Sequence, residues 1–318
     1  MTTTLTSREP VGAETNTARP PRGRVARRRL GVGRVFAWTA MILMLLGTIF
    51  PFYWMLRTAL SNTRALSSHY ASLAPADFTL GAFQRVFGLQ STAEAIAQGG
   101  SGASLNFWLF LRNSFIVATT TTVFQVLFCA LAAYAFARLT WPGRNKVFFL
   151  FLTALMIPGI FTTLPNFVLI RDLNLLNTLL GIVLPTLFMS PFSVFFLRQF
   201  FLSIPTEIEE AAKIDGAGHL RIFFRLIMPM SSAPVITLAL LTYITSWNDY
   251  LWPLLVGKDD NSKVLTVALG VFRQQTPSGA PDWAGLMAAT FVAAIPIIIL
   301  YCIVGKRIVN NIGFTGIK

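Results

Sequence analysis

Charge is scarce in this chain of 318 residues: Asp, Glu, Lys and Arg together make up 12% of it, against about 25% in soluble domains. Hydrophobic residues reach 54%, so a single water-exposed core is excluded and a bilayer must serve as solvent. Histidine and cysteine are scarcer still, two of each. His69 and His219 stand apart from any Ser, Cys or carboxylate at triad or zinc spacing and are expected to be surface polar residues, with no metal site and no catalytic constellation. Cys129 and Cys302 fall within apolar runs and are expected to be packed thiols, in neither a disulfide framework nor a metal cluster. A phosphate-cradling loop is missing too, since Gly257-Lys258 is followed by Asp259 and Gly305-Lys306 by Arg307; ATP is not expected to bind this chain.

Acidic residues number 13 against 26 basic ones, a net charge of +13. In a soluble protein that excess would point to nucleic acid. Here the basic residues cluster beside apolar runs, which is the signature of membrane orientation, and no nucleic-acid partner is expected.

Residues 1 to 20 are rich in Thr, Ala and Glu, and with the arginines through Arg34 they form an expected disordered, basic arm, residues 1–34. The uncharged run Val35 to Leu56 suits a spanning helix of about 20 residues better than a signal-peptide core of about 7 to 15. A transit peptide is the rival reading of the arm, weakened by Glu9 and Glu14. Further charge-free windows lie between Arg112 and Arg138, Lys146 and Arg171, Asp172 and Arg198, Arg225 and Asp249, and Asp282 and Lys306. The expected fold class is therefore all-α, an integral membrane protein with six transmembrane helices over residues 35–318. The polar stretch Arg57 to Asn106, with Gly99-Gly100-Ser101-Gly102, is expected to be an external loop carrying short helical pieces. With the N-terminus inside, the inner side collects 18 of the 26 Lys and Arg residues, which sets both termini in the cytoplasm.

Between two apolar runs lies a polar stretch, residues 203–229, that reads as two short helices around a glycine turn. Thr206 and Glu209 are spaced as a capping box, Pro205 suits a helix start, and Glu207, Glu209 and Glu210 favour the positive end of the helix dipole. Glu209 and Lys213 form an i,i+4 pair. Gly216 and Gly218 break the helix, after which Leu220, Phe223, Phe224 and Ile227 recur on one expected apolar face.

In these residues the chain resembles the coupling loop of the membrane subunits of ATP-binding-cassette importers, whose pattern is Glu-Ala-Ala, three residues, Gly, nine residues, Ile, one residue, Leu-Pro. Glu210-Ala211-Ala212, Gly216, and Leu226 to Pro229 match it, with Leu and Met in place of the family's Ile and Leu. Ile204-Pro205, residues 212–217 and residues 247–254 are similar to the second permease of the maltose-type sugar importers. The resemblance implies a cytoplasmic coupling-helix loop in which Glu210, Ala211, Ala212, Asp215, Gly216 and Pro229 serve ATPase coupling. It also implies a second homologous permease, a cytoplasmic ATPase dimer that binds ATP and Mg, an extracytoplasmic sugar-binding protein, and a multi-pass place in the bacterial cytoplasmic membrane. The cargo would be a di- or oligosaccharide or a derivative. In relatives the glycine-containing tail, here Gly313 to Lys318, reaches toward the ATPase; in this chain it is short.

Within the spans, Trp247, Asn248 and Asp249 are candidate translocation-cavity residues, because aromatics beside an amide and a carboxylate suit a sugar. The competing reading makes Trp247 and Trp252 an interfacial belt and Asp249 a clasp between helices. Asn113, Gln125, Asn166 and Thr119 to Thr122 are expected to be satisfied by neighbouring helices. Prolines 158, 165, 185, 191, 234, 253 and 296 are either hinges or ordinary membrane-helix prolines. The loop has an alternative as well, a hairpin lying on the bilayer surface, which three glutamates disfavour. A secondary transporter would need paired ionisable residues inside its spans, and a membrane anchor would have no use for a coupling loop.

Overall fold

The computed structural model describes residues 32–66, 68, 71–102, 105–273 and 281–312. The basic arm before Val32, His69, Ser278 and the tail after Ile312 lie outside the described residues. The chain divides into two compact units, Met1–Ile49 and Phe50–Lys318. In the first, residues 33–49 belong to α1 (Val32–Ala59), and nearly every one is exposed although the segment is strongly apolar.

The second unit begins with the last residues of α1, followed in the expected external stretch by α2 (Thr63–Leu66), α3 (Gly81–Val86) and α4 (Thr92–Ala97). α5 (Phe107–Arg138) follows, 32 residues and so about 48 Å long, with Ala130 and Ala133 fully buried where small side chains let neighbours approach. α6 (Arg144–Thr153) and α7 (Gly159–Asp172) come next, then α8 (Leu179–Val183) and α9 (Pro191–Leu202). The loop helices are α10 (Thr206–Ile214), α11 (His219–Ile222) and α12 (Met228–Met230), and the chain ends with α13 (Ser232–Trp247), α14 (Leu251–Val256), α15 (Leu265–Ala268) and α16 (Trp283–Ile312). α5 is the central element, packed most heavily on α9 and α13.

Among the described residues three helices are long and apolar enough to cross a membrane, Gly33–Ala59, Phe107–Arg138 and Trp283–Gly305. Three bent pairs, Arg144–Met156 with Gly159–Asp172, Leu179–Thr186 with Pro191–Leu202, and His219–Met230 with Ser232–Trp247, make the other crossings, at angles of 99°, 50° and 82°. These six coincide with the six charge-free windows, except that half of them are broken. Prolines stand at each break: Pro158, Pro185 with Pro191, and Pro229 with Pro234. Pro158 shows the cause, because proline disfavours helix in the residue before it and Ile157 is indeed extended, with φ −86 and ψ 113. Pro51, Pro165 and Pro296 lie inside helices instead.

Packing sorts the unit along α5. Near its Phe107 end, Val86, Leu105, Leu265, Phe272 and Ala284 form one cluster; near its Arg138 end, Phe148, Phe201, Ile222, Phe223 and Ile227 form another. Asp282, which in the sequence merely bounds the last window, is 0% exposed and gathers the first end. Its carboxylate lies 3.2 Å from Arg85 Nε and accepts hydrogen bonds from Thr63 Oγ1 at 3.1 Å, Ser101 N at 3.0 Å and Gly285 N at 2.8 Å. The glycine run is explained here: a Cβ on Gly100 would sit 2.7 Å from the Arg85 guanidinium carbon.

Two packing expectations change. Cys129 is buried, but Cys302 is exposed on a face of α16 that the chain does not cover. Asn113 is satisfied not by a neighbouring helix but by backbone carbonyls of a loop, donating to Asn261 O and Lys263 O at 3.0 Å each.

Candidate functional site

Pro205 caps α10 in an extended conformation (φ −56, ψ 135) and contributes no side-chain bond, so the capping box is not formed. Glu209 is instead turned inward and 4% exposed. Its Oε1 lies 2.9 Å from Arg138 Nε at the end of α5, an ion pair by distance without hydrogen-bond alignment, and Tyr134 OH donates to Oε2 at 3.4 Å. Arg138 Nη2 also donates to Phe201 O at 2.6 Å and to Ile204 O. Glu209 therefore prefers Arg138 to the expected partners Thr206 and Lys213, because a buried carboxylate needs a full counter-charge. No local spacing signals this pair, since 71 positions separate its members.

The loop turns at Gly216, which has φ +80. Gly216 N donates to Lys213 O at 3.0 Å and Ala217 N to Ala212 O at 2.9 Å, the pair of bonds that closes a helix with a left-handed residue. Ala212, Ala217 and Ile204 pack against the chain's own cluster at the Arg138 end of α5. Glu210, Ala211, Asp215 and Gly216 are exposed, as are Pro229 and His219. Ile214 is 87% exposed, with Leu220 and Phe224 also open. The expected face of Leu220, Phe223, Phe224 and Ile227 is thus split. Residues Phe223–Ile227 form a π turn, which shifts the register so that Ile222, Phe223 and Ile227 are buried.

A cavity of about 310 Å³ opens between α5, α8, α9, α13 and α14. Asp249 and Trp252 line it, together with Thr121, Gln125, Thr186, Ser190, Ser193, Thr242, Thr245 and Ser246. Asn248 and Trp247 do not. Asn248 is exposed and donates to Ile244 O at 2.8 Å, while Trp247 is buried and stacked on Tyr243. Trp252 Nε1 donates to Ile182 O at 3.0 Å. Among the described residues no side chain from another helix is hydrogen-bonded to the Asp249 carboxylate, while Thr266 Oγ1 of α15 donates to the Asp249 carbonyl at 2.7 Å. Sequence reading found Asp249 because its charge stands out in an apolar run. Thr121 and Gln125, expected to be satisfied between helices, line the cavity instead, and the serines and other threonines carry no signal until the fold turns them to one space.

Residues 125–313 match the family model described as "Binding-protein-dependent transport system inner membrane component". The chain is 36% identical to the sn-glycerol-3-phosphate transport system permease protein UgpE of Yersinia pestis, over 67% of this chain and 75% of that protein. It is 30% identical to the diacetylchitobiose uptake system permease protein DasC of Streptomyces coelicolor, over 90% of this chain and 98% of that one. Among solved structures, a bacterial ABC transporter involved in the import of the acidic polysaccharide alginate shares the fold, with a TM-score of 0.71 and 23% identity over 86% of this chain and 96% of that one.

Proposed function

The chain belongs to the binding-protein-dependent transport system inner membrane components, and from that premise we propose that it is one of two permease subunits of an ATP-driven sugar importer. A permease subunit is a transport component and not an enzyme, and the family works with an ATPase and a substrate-binding protein. The observation that carries the proposal is the loop 203–229: a helix with a glycine stop, clamped from inside and exposing Glu210, Ala211, Ile214 and Asp215 at its outer surface. A short, partly apolar, exposed helix is the shape that lies in a groove of a partner, here the ATPase. In this reading Glu210, Ala211, Asp215 and Gly216 form the docking surface, Ala212 holds that surface to the membrane body, and Pro229 marks the return into the membrane. ATP and Mg reside in the partner ATPase dimer. Asp249 belongs to the cargo path, whereas Asn248 and Trp247 act through helix ending and packing.

A second, homologous permease is proposed as the cover for apolar faces this chain leaves open, such as Phe149, Leu150, Phe161 and Leu164, with lipid covering others. The sugar class follows the naming of the diacetylchitobiose relative and the hydroxyl-lined cavity. Uptake of labelled diacetylchitobiose by cells expressing the whole importer tests it: accumulation should require ATP and both permeases, and accumulation that persists without the ATPase subunit would refute the reading.

Orientation follows from the division of basic residues. Arg138, Arg144 and the loop share one end of α5, while Ser101 and Asp282 gather at the other and Asn177 meets Lys258 and Val256. We expect the first end to be cytoplasmic. In intact cells a cysteine at the exposed Asn174 should react with an impermeant maleimide and one at the exposed His219 should not; external labelling at position 219 would reverse the topology.

A further inference from the structure

The chemistry of the cavity wall speaks to the cargo's charge. Among the described residues lining the cavity there is no Lys, Arg or His, and the one ionisable group is Asp249. The remaining polar groups are neutral. Thr245 Oγ1 already donates to Leu241 O at 2.9 Å and Thr186 Oγ1 to Val183 O at 3.1 Å, so both offer the cavity oxygen acceptors rather than donors. The indole of Trp252 directs its N–H to Ile182 O and leaves only its ring for the cavity. Neutral donors persist in Gln125 and the other hydroxyls, enough to answer the hydroxyls of a sugar. A phosphate or carboxylate asks for more, because a desolvated anion needs a cation or several converging charge-assisted donors, and here it would face a carboxylate.

Resting on the permease reading above, we propose that this chain's cavity is a selective wall for a neutral or amine-bearing sugar and disfavours an anionic one. Asp249 is then a specificity-determining residue: it repels phosphorylated and carboxylated cargo and accepts hydrogen bonds from hydroxyl or ammonium groups. The volume, about 310 Å³, is at the small end of the ~300–1,000 Å³ range of ligand pockets, so it holds one part of a larger cargo at a time.

The test reads the wall's charge without knowing the cargo. In the assembled importer, with Cys129→Ala and Cys302→Ala removing native thiols, Thr245→Cys is reacted with a cationic trimethylammonium-ethyl and an anionic sulfonatoethyl methanethiosulfonate. Ser246→Cys is the second position, in case one substitution disturbs packing. Relative to the ratio measured on a free thiol, the cationic reagent should be favoured about tenfold, and Asp249→Asn should return the ratio to the free-thiol value. Equal rates, or a preference for the anion, would overturn the proposal. So would failure of both reagents at both positions, since the cavity would then be closed to aqueous cargo. Copurification of the ATPase subunit is read in the same samples: its loss counts against the permease reading, whereas a wrong charge preference in an intact complex counts against this inference alone.

Discussion

Replacing Gly216 with proline is expected to abolish uptake while all six crossings still insert. Gly216 holds φ +80, and proline is confined to about −65°, so the two conformations do not overlap. Proline also lacks the N–H that Gly216 donates to Lys213 O, and without it the turn that closes α10 opens. Nothing lies within 4 Å of a Cβ at this position, so crowding plays no part and the effect is one of backbone conformation. That separates a graded series. Asparagine tolerates the left-handed region and should leave uptake near normal; alanine, costing about 1–2 kcal/mol there, should reduce it; proline should remove it. Uptake is measured beside recovery of the ATPase subunit on membranes holding each variant. A proline variant with normal uptake and normal recovery would remove the loop from the mechanism. Ala212→Arg belongs to the same experiment for a different reason: its bulk would press against the chain's own cluster and lift the loop, with the same loss of uptake.

Arg138→Ala is the second large effect. Arg138 and Glu209 side chains are each 6% exposed, so solvent screens little of their interaction. Removing one member of such a pair costs about 3–5 kcal/mol, because the other charge stays buried without compensation. The carbonyls of Phe201 and Ile204 lose their donor at the same time, and these carry the approach to α10. The expected outcome is a loop detached from the end of α5, cut faster by trypsin at Lys213 and Arg221 in inside-out vesicles, and uptake lost. Replacing both partners with methionine should restore much of the protease resistance, since an apolar pair of similar volume leaves no stranded charge. Wild-type resistance and uptake in the single variant would show that the clamp does not hold the loop.

These two residues differ in how far the sequence announces them. Gly216 is legible because turn chemistry is local: a glycine after a helix with its small, acidic and basic residues in order predicts the stop, and the left-handed φ follows. Arg138 is not legible as a clamp. In the sequence it ends an apolar window and counts as one more inner positive charge, and Glu209 has nearer candidates in Thr206 and Lys213. What decides between them is burial, which brings the end of α5 over the first turns of α10 and makes a full charge worth more than a cap. The apolar face after Gly218 failed for a related reason. Helical spacing assumes one period throughout, and the π turn at Phe223–Ile227 changes it, ahead of the 82° bend between Met230 and Ser232 into α13.

The cavity shows the same division. Asp249 stands out as an ionisable residue among apolar ones, and its place on the wall could be anticipated; its neighbours Asn248 and Trp247 were grouped with it by adjacency, and the fold sends one to a helix end and the other to the core. Thr121, Ser193 and Thr242 come from three helices and meet only in space. By itself the sequence determined the solvent this protein needs, the number of its candidate crossings, the position of its polar loop along the chain and the turn within it, because hydrophobic run length and glycine chemistry act over neighbours in the chain. Only the tertiary structure decided where the crossings break and which charges are paired. Arg85 with Asp282 and Arg138 with Glu209 are long-range choices, made where the surroundings exclude water and an ion must take whatever counter-charge the packing brings.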